Sequence, residues 1–177
     1  MFIKKISLIF ATGLSIILIS CSLFENIAVK TGSPNKTEIV ITSSPVLPIY
    51  NNFPCIHSAE NPEVGYVVKV IDGDSIKALV DGKEFEIRYI GINTPEYYSD
   101  EKAAAERATR ENRALVEGKK VYLFKDVSNT DYFDRLLRYV FTEDFFINFE
   151  MVERGMAESK SYYPDVACQK LFNQASQ

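Results

Sequence analysis

The stretch SIKALVDGKEFEIRYI, Ser75 to Ile90, decides the fold. Two β-rich runs, Ser75 to Val80 and Lys83 to Ile90, flank Asp81-Gly82. That dipeptide between extended runs is a strong signal for a tight hairpin. In the second run Phe85, Ile87 and Tyr89 alternate with Glu84, Glu86 and Arg88. A strand places successive side chains on opposite faces, so Arg88 points away from the face that carries the aromatic residues.

Working outward, Gly65 to Ile71 reads as a strand before the hairpin, and Asn93-Thr94-Pro95 as a turn after it. Asp100 to Glu117 is rich in Ala, Glu and Arg and reads as a helix, with Ser99 or Asp100 to cap its start and Gly118 to end it. Lys120 to Lys125 and Leu136 to Phe141 are two more strands, Ile147 to Arg154 is a helix stopped by Gly155, and Val166 to Gln174 is a short last helix. The expected class is α+β: a five-stranded OB-fold barrel with a helix between strands three and four and two C-terminal helices.

The rest of the chain has a different texture. Lys4 and Lys5 precede an apolar run from Ile6 to Ile19 that ends at Ser20-Cys21. The run suits a signal-peptide core and is too short to span a bilayer. A small residue directly before Cys resembles the bacterial lipoprotein processing box, which implies a signal peptide over 1–20 and a lipidated Cys21. Residues 21–63 are rich in Ser, Thr, Pro and Asn and read as a flexible tether, leaving 64–177 as the domain. Localisation is then outside the cytoplasm, anchored to the bacterial cell envelope through lipid at Cys21.

Composition narrows the chemistry. With 46% hydrophobic and 25% charged residues and a mean hydropathy of −0.08, the 177-residue chain is neither a multi-pass membrane protein nor fully disordered. The formal charge of −4 falls to −6 once Lys4 and Lys5 leave with the leader, so nothing global draws the chain to nucleic acid. Phosphate binding would have to come from a few placed cations.

Charged groups gather in three places. Ile71-Asp72-Gly73-Asp74-Ser75 sets two carboxylates around a tight turn, which suits Ca²⁺ or Mg²⁺ and equally suits a solvated loop. Arg88 to Glu96 carries a cation on a strand, then an oxygen donor, then a carboxylate after a Pro-fixed turn. In Thr130 to Tyr139, Arg135 opens a strand, with Asp131 and Asp134 as candidate partners for a rim ion pair.

From about Val64 onward these stretches, in their order, resemble the staphylococcal nuclease (thermonuclease) family. The motifs are V-I-D-G-D-S, R-Y-I-G-I-N-T-P-E, D-x-x-x-R-L-L-R-Y-V and a final run from Glu150 to Ala157. The resemblance implies Arg88, Glu96 and Arg135 as catalytic residues, the carboxylate of Glu96 activating or orienting the attacking water. It implies Asp74, Asn93 and the Thr94 carbonyl as Ca²⁺ ligands, Asp72 as a nearby acid and Tyr163 as a nucleotide contact. The implied partner is DNA or RNA, cut to a 3′-phosphate and a 5′-hydroxyl, and a monomer is expected. Two positions depart from the family pattern: Asn93 stands where the type sequence has Asp, and Asp134 where it has Gly. A catalytically weakened barrel that only binds nucleic acid, or a structural surface lipoprotein, is the competing reading.

Three Cys occur in the chain. With Cys21 lipidated, Cys55 and Cys168 are left in an oxidising compartment, where two thiols tend to pair. A Cys55–Cys168 disulfide pinning the end of the tether to the last helix is expected from that compartment argument.

Overall fold

The computed structural model describes residues 48–56, 61–98 and 100–176. The leader, Cys21 and most of the expected tether, residues 22–47 and 57–60, lie outside the described residues, as does Ser99. A closed barrel of five strands forms the centre, in the order β1-β2-β3-β6-β5. These are β1 Glu63–Val70, β2 Ser75–Val80, β3 Lys83–Tyr89, β5 Lys120–Phe124 and β6 Leu136–Phe141. Neighbours are antiparallel except β3 and β6, which run parallel in the register Ile87 to Leu136 and Tyr89 to Arg138. The helix α1, Lys102–Val116, falls between the third and fourth barrel strands, and α2 Ile147–Glu153 and α3 Gln169–Ala175 close the chain. The expected α+β barrel of the OB type is therefore present.

Local chemistry explains the hairpin. Asp81 and Gly82 both take positive φ, 49° and 77°, the conformation that a two-residue turn needs to match strand twist. Beyond it the β3 alternation holds, with Ile87 and Tyr89 in the core. The barrel interior is filled by aliphatic side chains such as Ile76, Ala78, Val121 and Val140, while Phe141, Phe146 and Phe172 gather under α2 and α3.

Two short strands were not signalled by periodicity. Ile92–Asn93 (β4) pairs antiparallel with Glu158–Ser159 (β7), a two-residue ribbon on the rim of the barrel. Ile92 and Asn93 of this ribbon meet the Arg88 guanidinium, and the side chain of Arg88 is left only 13% exposed.

The compact unit reaches further toward the N-terminus than the expected boundary at Val64, taking in residues 48–56. Ile49–Asn52 forms a 3₁₀ turn, Tyr50 and Ile56 are buried, and the Phe53 ring packs against Phe146 at 5.0 Å between centroids. A few aromatic and aliphatic side chains between prolines can anchor a segment without any repeating pattern, because burial of a ring is a property of single residues. Cys55 and Cys168 are bonded, with Cα atoms 5.1 Å apart, which fixes this segment to the start of α3.

Candidate active site

The site begins at the end of β1, where Asp72-Gly73-Asp74 turns into β2. Gly73 is required by space: a Cβ there would sit 2.6 Å from the Thr94 methyl and 2.8 Å from the Ala108 methyl. The turn is thus pressed against both α1 and the loop after β4. Asp72 accepts the Asp74 N–H at 3.0 Å, and its carbonyl accepts from the Asn112 amide of α1 at 2.9 Å. The same Asn112 accepts a hydrogen bond from the Tyr89 hydroxyl, so helix, turn and β3 share one buried amide.

Asp74 is buried, with its Oδ2 accepting from the Thr94 N–H at 2.8 Å and the Thr94 hydroxyl at 3.0 Å. Burial pushes its carboxyl up to about 6, against the pull of the Arg88 cation and the Thr94 bonds.

Arg88 is gripped on several sides. Its guanidinium donates to the Tyr89 carbonyl at 2.8 Å, the Ile92 carbonyl at 3.0 Å and Asn93 Oδ1 at 3.3 Å, and it pairs with Asp74 Oδ2 at 3.2 Å. The backbone can supply those carbonyls because Gly91 takes φ 78° and folds the chain back at the end of β3. Glycine is doubly needed here, since a Cβ would come within 2.6 Å of the Phe172 ring.

Arg135 reaches the same place from a loop. Arg88 and Arg135 line one cavity of about 210 Å³ together with Asp131, Leu137, Tyr162 and Asp165. Asp131 holds Arg135 through Oδ2 at 2.7 Å to both Nε and Nη2, while its Oδ1 accepts the Phe133 and Arg135 N–H groups and shapes the loop. Partial burial pushes Asp131 up, but the bonds from Arg135 and the loop outweigh it and hold the carboxyl below its usual range.

The structure thus brings Asp72, Asp74, Arg88, Asn93 and Thr94 into one bonded cluster, and Arg135 lines the same cavity as Arg88. Glu96 is exposed on the loop after β4 and does not line the cavity. Tyr162 lines the cavity and donates to Asn93 Oδ1 at 3.3 Å, whereas Tyr163 is 90% exposed and precedes a cis proline. Tyr162, Asp131 and Asn112 are the participants that motif reading did not assign. Asp131 carried a signal in its i, i+4 spacing to Arg135, and Tyr162 lies one residue from the aromatic that was assigned.

For a cation the cluster offers hard oxygens: the carboxylates of Asp72 and Asp74, the Asn93 amide oxygen and the Thr94 carbonyl. No group of three or more His, Cys, Asp or Glu converges among the described residues. Hard oxygens with few charges among them suit Ca²⁺ held with modest affinity, because affinity rises with ligand charge.

Residues 86–177 match the family described as staphylococcal nuclease homologue. The chain is 31% identical over 121 residues to a thermonuclease of Staphylococcus hyicus, covering 67% of this chain and 72% of that one. It is 32% identical over 114 residues to a thermonuclease of Staphylococcus intermedius, covering 62% and 68%. It is also 30% identical over 99 residues to the endonuclease YncB of Bacillus subtilis (strain 168), covering 54% and 47%. With this match over residues 86–177, these relatives and the closed barrel, the chain belongs to the staphylococcal nuclease family.

Proposed function

We propose that the protein is a Ca²⁺-dependent nuclease that hydrolyses phosphodiester bonds of DNA or RNA, exported and held at the cell envelope by lipid on Cys21. The observation that carries the reading is the single cavity onto which Arg88 and Arg135 both open, with the oxygen cluster of Asp74 and Asn93 bonded to one of them.

The chemistry follows from charge. Negative charge builds on the phosphate oxygens during in-line attack, and preorganised cations in a partly dry site stabilise it at little reorganisation cost. Arg88 supplies a guanidinium already fixed by main-chain carbonyls. Arg135 supplies a second one, able to take two phosphate oxygens at once when it leaves Asp131. Glu96, on the exposed loop after β4, would accept or orient the proton of the attacking water, as the family resemblance implies. Asp74, Asn93 and Thr94 would hold Ca²⁺, which acts as a Lewis acid toward the phosphate when bound. By family resemblance the products carry a 3′-phosphate.

The test uses the full chain in detergent with a single-stranded oligonucleotide, in Ca²⁺ and then in chelator. Cleavage in Ca²⁺ that chelator stops, and that Arg88→Ala abolishes, is the expected result. Binding without cleavage under every condition would move the protein to the competing reading of a barrel that only binds nucleic acid.

A further inference from the structure

Two pairs of aromatic residues stand in solvent on the loops that carry reacting groups. Tyr97 and Tyr98 directly follow Glu96, and Tyr98 is 101% exposed. Tyr132 and Phe133 lie between Asp131 and Arg135, exposed at 94% and 75%. The Tyr98 and Tyr132 rings bury nothing in the fold, so the barrel does not explain them.

Both are nevertheless braced. Tyr97 donates its hydroxyl to Glu106 at 3.3 Å with the Lys102 ammonium 5.4 Å from its ring centre, and Tyr98 meets it edge-on at 6.1 Å. Tyr132 meets Phe133 edge-on at 5.5 Å, and the Arg135 guanidinium lies 5.5 Å from the Phe133 ring centre. An open depression beside this second pair is lined by Glu86, Phe133, Asp134 and Arg135. Each loop thus holds one ring in place and presents a second to solvent.

The charge balance gives these rings a task. The chain is formally −4, and the arginines of the site are faced by Asp74, Asp131 and the neighbouring Asp134, so a polyanion gains little from net attraction. Stacking of a base on an aromatic ring does not depend on phosphate charge and changes affinity by about tenfold per base.

We propose that Tyr98 and Tyr132 are base-stacking positions, each taking an unpaired nucleobase next to the phosphate held between Arg88 and Arg135. The proposal rests on the nuclease reading and adds to it two residues that set substrate affinity. Rings on exposed loops can pair with splayed bases and cannot reach the faces of bases inside a duplex.

The experiment measures affinity apart from chemistry. Fluorescent oligothymidylate is titrated with the full chain in chelator and followed by anisotropy, and an abasic strand of equal length is titrated in parallel. The chain carries Tyr98→Ala, Tyr132→Ala, Tyr98→Phe or Tyr132→Phe. Each Ala variant should weaken oligothymidylate binding about tenfold, each Phe variant should hold near the parent, and neither should change binding of the abasic strand. In Ca²⁺ the same Ala variants should raise KM and leave kcat in place. Equal affinities for parent and Ala variants, or equal losses on the abasic strand, overturn the proposal. So does an Ala phenotype confined to binding of phosphatidylglycerol vesicles, which would make the rings a membrane contact. If the parent binds but never cleaves while the Ala losses persist, stacking stands and the nuclease reading fails.

Discussion

The two arginines that share the cavity are held in opposite ways. Arg88 rises near the end of β3, 13% exposed, with carbonyls, an amide and a carboxylate around its guanidinium. Arg135 stands where a loop becomes β6, 25% exposed, held at its guanidinium by Asp131 and lying beside the Phe133 ring. The first is fixed before substrate arrives, and its position is a consequence of the fold. The second sits in a local ion pair that phosphate must share or displace. Preorganisation is worth most where the groups cannot relax, so Arg88 should matter through its placement and Arg135 through its mobility.

The largest expected effect tests that contrast directly. Arg88→Lys keeps the charge but loses the planar fork that meets several acceptors, and kcat should fall about 10²-fold or more. Its stability should fall as well, by roughly 1–3 kcal/mol, because one ammonium cannot serve the Tyr89 and Ile92 carbonyls, Asn93 and Asp74 together. Arg135→Lys should also slow turnover while leaving the melting temperature within about a degree of the parent, as ordinary for a partly exposed ion pair. Calorimetry and steady-state kinetics on both variants decide it. Equal destabilisation by the two would break the comparison.

Asp131→Asn comes next, since it releases Arg135 from its charged partner. The amide can still accept the Phe133 and Arg135 N–H bonds that shape the loop, so the change isolates the ion pair. KM for oligonucleotide should fall by a factor of about 3–10, the range of a partly exposed charge-assisted bond. The acid side should respond too. A carboxyl held below its usual range adds stability that is present above the unfolded-state value near pH 4 and is lost as the pH falls through the folded-state value. Asp131→Asn should therefore flatten the melting profile on the acid side. A KM that rises would show that Asp131 positions Arg135 for phosphate instead of competing with it.

How much of this was legible from residues alone depends on the range of the interaction. The Asp81-Gly82 turn, the β3 alternation that sends Arg88 away from the aromatics, and the helix between the third and fourth barrel strands are set by neighbours in sequence, and all could be read. The ribbon that meets Arg88 could not. It requires Ile92–Asn93 to meet Glu158–Ser159, two pairs of residues too short to carry a period and joined only by the closed barrel. The packing of Tyr50 and Phe53 against Phe124 and Phe146 escaped for the same reason. For Arg135 the sequence offered Asp131 and Asp134 equally. The loop chooses Asp131 because its two oxygens can serve backbone and guanidinium together, whereas Asp134 sits at a left-handed turn position. The resemblance implied Tyr163, and its neighbour Tyr162 is the ring that lines the cavity and reaches Asn93.

A smaller effect bears on the Arg88 side alone. Asn93 accepts from Arg88 and Tyr162 through Oδ1, and its Nδ2 donates to the Thr94 carbonyl at 3.4 Å. Asn93→Asp adds a negative charge and frees that carbonyl, both of which favour a cation among these oxygens. The Ca²⁺ concentration for half-maximal activity should fall several-fold, by about 3–10 times for one added ligand charge. An unchanged midpoint would remove Asn93 from the proposed Ca²⁺ ligands and leave its contact with Arg88 and Tyr162 as its whole role.

The smallest effect concerns Asp134. Its φ of 60° lies in the left-handed region, where Gly is favoured and Asp is tolerated through its short polar side chain. The position is exposed, and a carboxylate here stands one residue before Arg135 without being the partner that holds it. Asp134→Gly should relieve the backbone cost, but it also loosens the unfolded chain, so the net stability change should stay within about 1 kcal/mol of zero. Removing the negative charge beside Arg135 should lower KM by no more than about threefold at ordinary ionic strength, and the gain should shrink as salt is raised, since an exposed charge is screened over roughly 8–10 Å. Kinetics at two salt concentrations check this. A gain in kcat of tenfold or more would mean that Asp134, and not Asp131, is the carboxylate that restrains Arg135 during turnover, and the contrast between the two arginines would need to be redrawn around the turn.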